Sequence, residues 1–176
     1  MPITDPATLE SNSKLSTREK KFRYDMIKGR VAETIIEELF LSQQYKVFDY
    51  GMENTIPGIM EFVKGFNNGV AKEIRSMPDM VVQHPITNEV NFLEVKFRKS
   101  GIFKLSELPK DFPYKNALFI LVSKTNIKCA SYQELEEGKD ISPTSRNYLG
   151  TRKEFDLDKE VIKEFCDFAI QFFDKV

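Results

Sequence analysis

Ala117-Leu118-Phe119-Ile120-Leu121-Val122 is an unbroken apolar run of strand length. A strand that is apolar on both sides must be covered on both faces, so this segment predicts the centre of a layered sheet. The rest of the chain supplies candidate layers. Val31, Ala32, Ile35, Ile36, Leu39 and Phe40 recur at helical spacing, as do Val161, Ile162, Phe165, Phe168, Ala169, Phe172 and Phe173 behind a capping Asp158. Ser16-Thr17-Arg18-Glu19 has capping-box spacing, so a helix starts there. It either breaks at Gly29 or continues as one helix to the neighbourhood of Leu41.

Strand patterns cover Tyr45 to Tyr50, Met77 to Val82, Asn91 to Phe97 and Ile127 to Ala130. The second and third form a hairpin around His84-Pro85-Ile86-Thr87-Asn88-Glu89, with His84 expected at the surface of the turn. Pro57 suits the first turn of a short helix over Ile59, Met60, Val63 and Phe66, which Asn67-Asn68-Gly69 would close; Val70 to Ser76 adds another turn or two. Pro109 and Pro113 predict an irregular connection, and residues 132–150 read as loop-rich. The order helix, strand, insert, hairpin, connection, strand, strand, helix predicts an α/β fold, a mixed four- to five-stranded sheet flanked by helices. Residues 1–15 read as a flexible arm and 16–176 as a single domain.

The hairpin also carries chemistry. Pro78-Asp79 occurs once in the chain, and Glu94-Val95-Lys96 follows on the next strand. Glu-x-Lys occurs at Glu19 and Glu137 too, but only Glu94 lies in an apolar strand. Period-two geometry puts Glu94 and Lys96 on one face and Leu93, Val95 and Phe97 on the other. Acids and a lysine among apolar residues are costly to desolvate unless they pair or bind a metal. Two acids and a lysine on neighbouring strands can hold a divalent ion and a water against a phosphodiester. Upstream, Glu33 falls at the margin of the apolar helix face, while Glu37 is expected to point further toward solvent.

Asp79, Glu94 and Lys96, with Gly29-Arg30-Val31-Ala32-Glu33 on the preceding helix, resemble the PD-(D/E)XK nuclease superfamily. The resemblance covers roughly residues 28–131 and implies a restriction-endonuclease-like core of α-β-β-β-α-β order. It implies a Mg²⁺- or Mn²⁺-dependent endonuclease that hydrolyses phosphodiester bonds in nucleic acid, DNA foremost, leaving a 5′-phosphate. Asp79, Glu94 and the carbonyl of Val95 would be the metal ligands. Lys96 would orient or help deprotonate the attacking water, and Glu33 would assist as an outer-sphere group or at a second ion. The Gln-x-x-x-Tyr element that some branches carry after the lysine is absent. The alternative is a nuclease-like fold without catalysis that binds nucleic acid or a protein.

Other chemistries find no footing. There is no phosphate-binding Gly-rich loop, and one histidine supports neither a Ser-His-Asp nor a Cys-His arrangement. Cys129 and Cys166, far apart, predict buried thiols in a reducing, cytoplasmic setting and make no zinc site. No apolar run approaches the ~20 residues of a membrane span, and the polar start, Met1 to Thr17, has no signal-peptide core. The net charge of -1 argues mildly against nucleic-acid binding. Its distribution argues for it: Lys14, Arg18, Lys20, Lys21, Arg23, Lys28 and Arg30 cluster early, and Arg98, Lys99 and Lys104 follow the hairpin. Of these, Arg30, Arg98, Lys99 and Lys104 are the expected phosphate contacts. One site per chain would need two chains for a simultaneous double-strand cut, so a homodimer is an expected partner state.

Overall fold

Leu118–Val122 is buried at every residue. In this computed structural model, which describes residues 14–51, 58–66 and 68–176, it forms β4 of a five-stranded mixed sheet. The other strands are β1 (Lys46–Asp49), β2 (Met80–Gln83), β3 (Val90–Phe97) and β5 (Ile127–Ser131), and the spatial order follows the chain. All neighbours are antiparallel except β3 and β4, which run parallel with Val95 opposite Ile120.

A parallel pair needs a crossover. Residues 98–117 provide one without an α-helix: a single 3₁₀ turn, Leu105–Glu107, is its only helical piece. The irregular connection is as expected, whereas an α-β-β-β-α-β core would place a helix here. The crossover is itself the second layer. Phe103 and Phe112 from it bury against Phe119 and Leu121 of β4, Ala130 of β5, Leu135 and Ile141.

The opposite face carries the larger core. Helix α1 (Thr17–Ser42) is one continuous rod that absorbs Gly29. Its start is the expected capping box: Ser16 Oγ accepts from Glu19 N–H at 3.2 Å, and Glu19 Oε2 accepts from Ser16 N–H at 2.8 Å. Ala32, Ile35, Ile36, Leu39 and Phe40 are buried against Leu93 and Val95 of β3 and Ile120 and Val122 of β4. Short helices α2 (Ile59–Phe62) and α3 (Gly69–Arg75) sit in the insert, and Asn68 caps α3 instead of closing α2. Pro57, Asn67 and most of the arm lie outside the described residues. The stretch expected to be loop-rich holds α4 (Tyr132–Glu136), started by a capping box between Ser131 and Glu134 whose spacing is present in the sequence.

Helix α5 (Lys159–Phe173) begins at Asp158, whose carboxylate accepts from Glu160 and Val161 N–H. Only Ile162, Phe165, Ala169 and Phe173 of its apolar set are buried. Phe168 and Phe172 are exposed, contrary to the single broad face the spacing suggested.

His84 also departs from expectation. It is 8% exposed. Its Nδ1 accepts from Ile86 and Thr87 N–H at 3.1 and 3.2 Å, and its ring meets Tyr45 edge-on. A tight turn folds its backbone donors inward, and the imidazole satisfies them. Lys128 is the second buried surprise, 3% exposed on β5. Its Nζ donates to the carbonyls of Ser142, Pro143 and Ser145 at 2.6, 3.0 and 2.8 Å and faces the Tyr148 ring. Burial pulls its pKa below the usual lysine value, and the three carbonyls offset the desolvation. Lys128→Ala removes the charge and leaves three carbonyls converging on a void. It is expected to destabilise the fold by about 2–4 kcal/mol, read from the midpoint of urea unfolding.

Candidate functional site

Asp79 sits one residue before β2. The antiparallel register that pairs Met80 with Leu93 carries on to set Asp79 against Glu94. Its backbone is fixed from the other side, where its carbonyl accepts from Tyr50 and Gly51 N–H at 3.0 and 3.2 Å. Its side chain is fixed too: Oδ2 accepts from Val95 N–H at 2.7 Å. Pro78 is buried behind it. The Pro-Asp pair is thus clamped between the end of β1 and the middle of β3.

On β3 the alternation holds. Leu93 and Val95 enter the core under α1, and Glu94, 8% exposed, faces the other way with Lys96. Lys96 Nζ donates to Glu94 Oε1 and forms an ion pair with it. Glu33 comes from α1 and, with Asp25, Gly29 and Arg30, lines one wall of an open cleft of about 680 Å³. Asp79, Val95, Lys96, Arg98 and Lys99 line the other.

The electrostatics show the same convergence. Asp79 is held well above the usual carboxylate range, first by burial and then by the negative charge of Glu94; Glu33 adds to this, while Lys96 and the Val95 N–H oppose it. Lys96 is raised as well. Burial alone would lower it, but Glu94 and Asp79 outweigh burial and hold it as an ammonium. Glu37, expected in solvent, is half-buried and shifted upward by that burial and by Asp49 at the sheet edge.

The four residues singled out on the sequence therefore meet at one place. The basic residues divide. Arg30 and Lys99 are exposed at the cleft. Arg98 lines it but is tied down, donating to Glu107 Oε2 at 2.9 Å and to the Phe97 carbonyl at 2.9 Å. Lys104 lines a separate hollow beside Leu105, Pro109 and Tyr132 and does not reach the site. The chain has already turned at Gly101 and paired Phe103 with Ile141, a distant contact that no sequence spacing announces. Lys28 was noted only as part of a basic run. It spans the cleft roof, bonded to Asp25 at 2.7 Å and lying over the Tyr24 and Phe97 rings.

As a donor set, two carboxylates and a backbone carbonyl are hard oxygens, which suit Mg²⁺ or Mn²⁺. Among the described residues no group of three or more His, Cys, Asp or Glu side chains is gathered around a common cation position. A metal here would have to keep several of its waters, as Mg²⁺ does.

No family model matches the chain, no curated protein is significantly similar to it, and no solved structure matches its fold. No described helix is long and apolar enough to cross a membrane.

The raised Asp79 has a stability consequence. Between its unfolded and folded pKa values the folded state binds the extra proton, so stability falls as pH rises through that window. Asp79→Asn keeps an acceptor for Val95 N–H and removes the charge. It is expected to melt higher than wild type at neutral pH, with the gap closing as pH falls into the carboxylate range. Calorimetric scans across pH check this; a variant that melts lower at neutral pH would mean that the Asp79 charge is stabilising.

Proposed function

We propose that the protein is a metal-dependent endonuclease acting on phosphodiester bonds, with DNA as the foremost substrate. One observation carries the reading: Glu94, Lys96 and Glu33 all lie within electrostatic reach of the buried Asp79, and Asp79, Lys96 and Glu33 line one open cleft.

Asp79, Glu94 and the Val95 carbonyl would hold the ion, which when bound supplies charge neutralisation at the phosphate and an acidified water. The chain's own groups do the rest. The Val95 N–H fixes one Asp79 oxygen, so the carboxylate presents the other in a set direction. Lys96 is kept protonated by Glu94 and Asp79. That suits it to orient the attacking water and donate to a phosphate oxygen, and makes it a poor proton acceptor in this state. Glu33 reaches the cleft from α1 and can accept from that water. Lys99 and Arg30, exposed on opposite walls, are the groups available to phosphates.

Two experiments test the assignment. Calorimetric titration with Mn²⁺ is expected to show uptake by wild type and Lys96→Ala and none by Asp79→Ala. In a gel assay on linear, branched and single-stranded DNA and RNA, Lys96→Ala is expected to lose Mn²⁺-dependent cleavage, by about 10²-fold or more. Equal ion uptake by Asp79→Ala and wild type would remove the metal site. A wild type that binds the ion and cuts nothing would turn the reading to a non-catalytic binding module. For the cleft walls, Lys99→Ala is expected to flatten the slope of log affinity against log salt by about 0.9 per lost phosphate contact. An unchanged slope would place the nucleic acid elsewhere.

A further inference from the structure

Helix α1 carries a charge pattern that its own stability does not explain. Residues 17–30 hold Arg18, Lys20, Lys21, Arg23, Lys28 and Arg30 against Glu19 and Asp25; residues 31–42 hold Glu33, Glu37 and Glu38 and no cation. Cations near the start and acids near the end run against the helix macrodipole, which favours the reverse.

The face of α1 turned away from the sheet adds a second pattern. Lys20, Arg23, Ile27, Thr34, Glu38 and Leu41 are spaced by three, four or seven residues, and all are exposed along the whole rod. Ile27 is 56% and Leu41 42% exposed. Beside this stripe, Ile27, Val31, Ile35 and Phe172 of α5, with Arg30 and Thr34 at the margin, line a mainly apolar groove of about 310 Å³, and Phe172 stands 64% in solvent. A rod with an apolar centre, a basic end and an acidic end is complementary to itself when reversed.

We propose that this face of α1 pairs with the same face of a second copy, antiparallel about a two-fold axis, making a homodimer. With the axis between Arg30 and Val31, Ile27 of each copy meets Thr34 of the other, Arg23 meets Glu38, and Lys20 meets Leu41. Each contact occurs twice, as in any two-fold interface. The two macrodipoles also oppose. The exposed Phe172 rings flank the helix pair and close the apolar grooves. The interface uses none of Asp79, Glu94 and Lys96, so it stands or falls apart from the metal site; Arg30, beside the axis, is the one residue that it and the phosphate assignment both claim.

Sedimentation velocity of the full chain, without nucleic acid or metal, tests it. Wild type is expected to pass from monomer to dimer as concentration rises. Ile27→Glu is expected to remain monomeric. Arg23→Glu is expected to weaken the dimer about tenfold or more, because two attractions become two repulsions. Arg23→Glu with Glu38→Arg restores opposite charges and is expected to recover it. The substituted residues are exposed, and far-UV circular dichroism of the single variants matching wild type verifies the fold. A wild type that stays monomeric at every concentration, a dimer indifferent to Ile27→Glu, or a double variant no better than Arg23→Glu would each overturn the proposal. A monomeric wild type whose Arg23→Glu variant loses affinity for DNA would overturn it too, assigning the basic half of α1 to phosphates.

Discussion

The parallel pairing of β3 and β4 is the constraint from which the rest follows. β4 is apolar on both faces, so each face must be covered. The parallel pairing forces the chain to travel back over the sheet between the two strands. That returning segment covers one face with Phe103 and Phe112, leaving the other to α1 and α5. β3, beside β4, therefore has a different layer on each side. Leu93 and Val95 enter the larger core under α1, while Phe92 on the other side packs against the smaller one. Glu94 and Lys96 alternate with Leu93 and Val95 and are spared the larger core.

The candidate site draws its order from backbone more than from side chains. Asp79 is held through its own carbonyl by the end of β1 and through its carboxylate by β3. Lys96 and Glu94 hold each other. Burial first, then the like charges of Glu94 and Glu33, raise Asp79, while Glu94 and Asp79 keep Lys96 protonated. Part of each shift comes from these neighbours, so changing Glu94 alters the ionisation of both Asp79 and Lys96.

The sheet and its flanking helices were legible because hydrophobic period and capping are local signals. The β4 run, the alternation over Leu93 to Phe97 and the Ser16 capping box each express in a few residues what the structure does there. The meeting of Asp79, Glu94, Lys96 and Glu33 was legible because strand pairing brings two short motifs together by register alone. What stayed hidden depends on distant packing. His84 is buried only because Tyr45 lies against it, and Lys128 only because the loop around residues 142–145 folds over it. Phe168 and Phe172 share the α5 pattern, yet the partner surface is narrower than their helix face. Lys104 follows the motif in sequence and leaves it in space, carried off by the turn at Gly101 and the pairing of Phe103 with Ile141.

Gly29 has a quieter role in this arrangement. It lies four residues after Asp25 and four before Glu33, so all three share the cleft-facing side of α1. A methyl group built on it would touch nothing within 4 Å, and its backbone is ordinary helix. Alanine would fit and would favour the helix by about 1 kcal/mol. The rod is therefore weakest, by choice of residue, where its side passes over the acids. The absent side chain leaves a notch in the wall of the cleft across from Lys96. Filling it would make a sturdier helix and a narrower entrance.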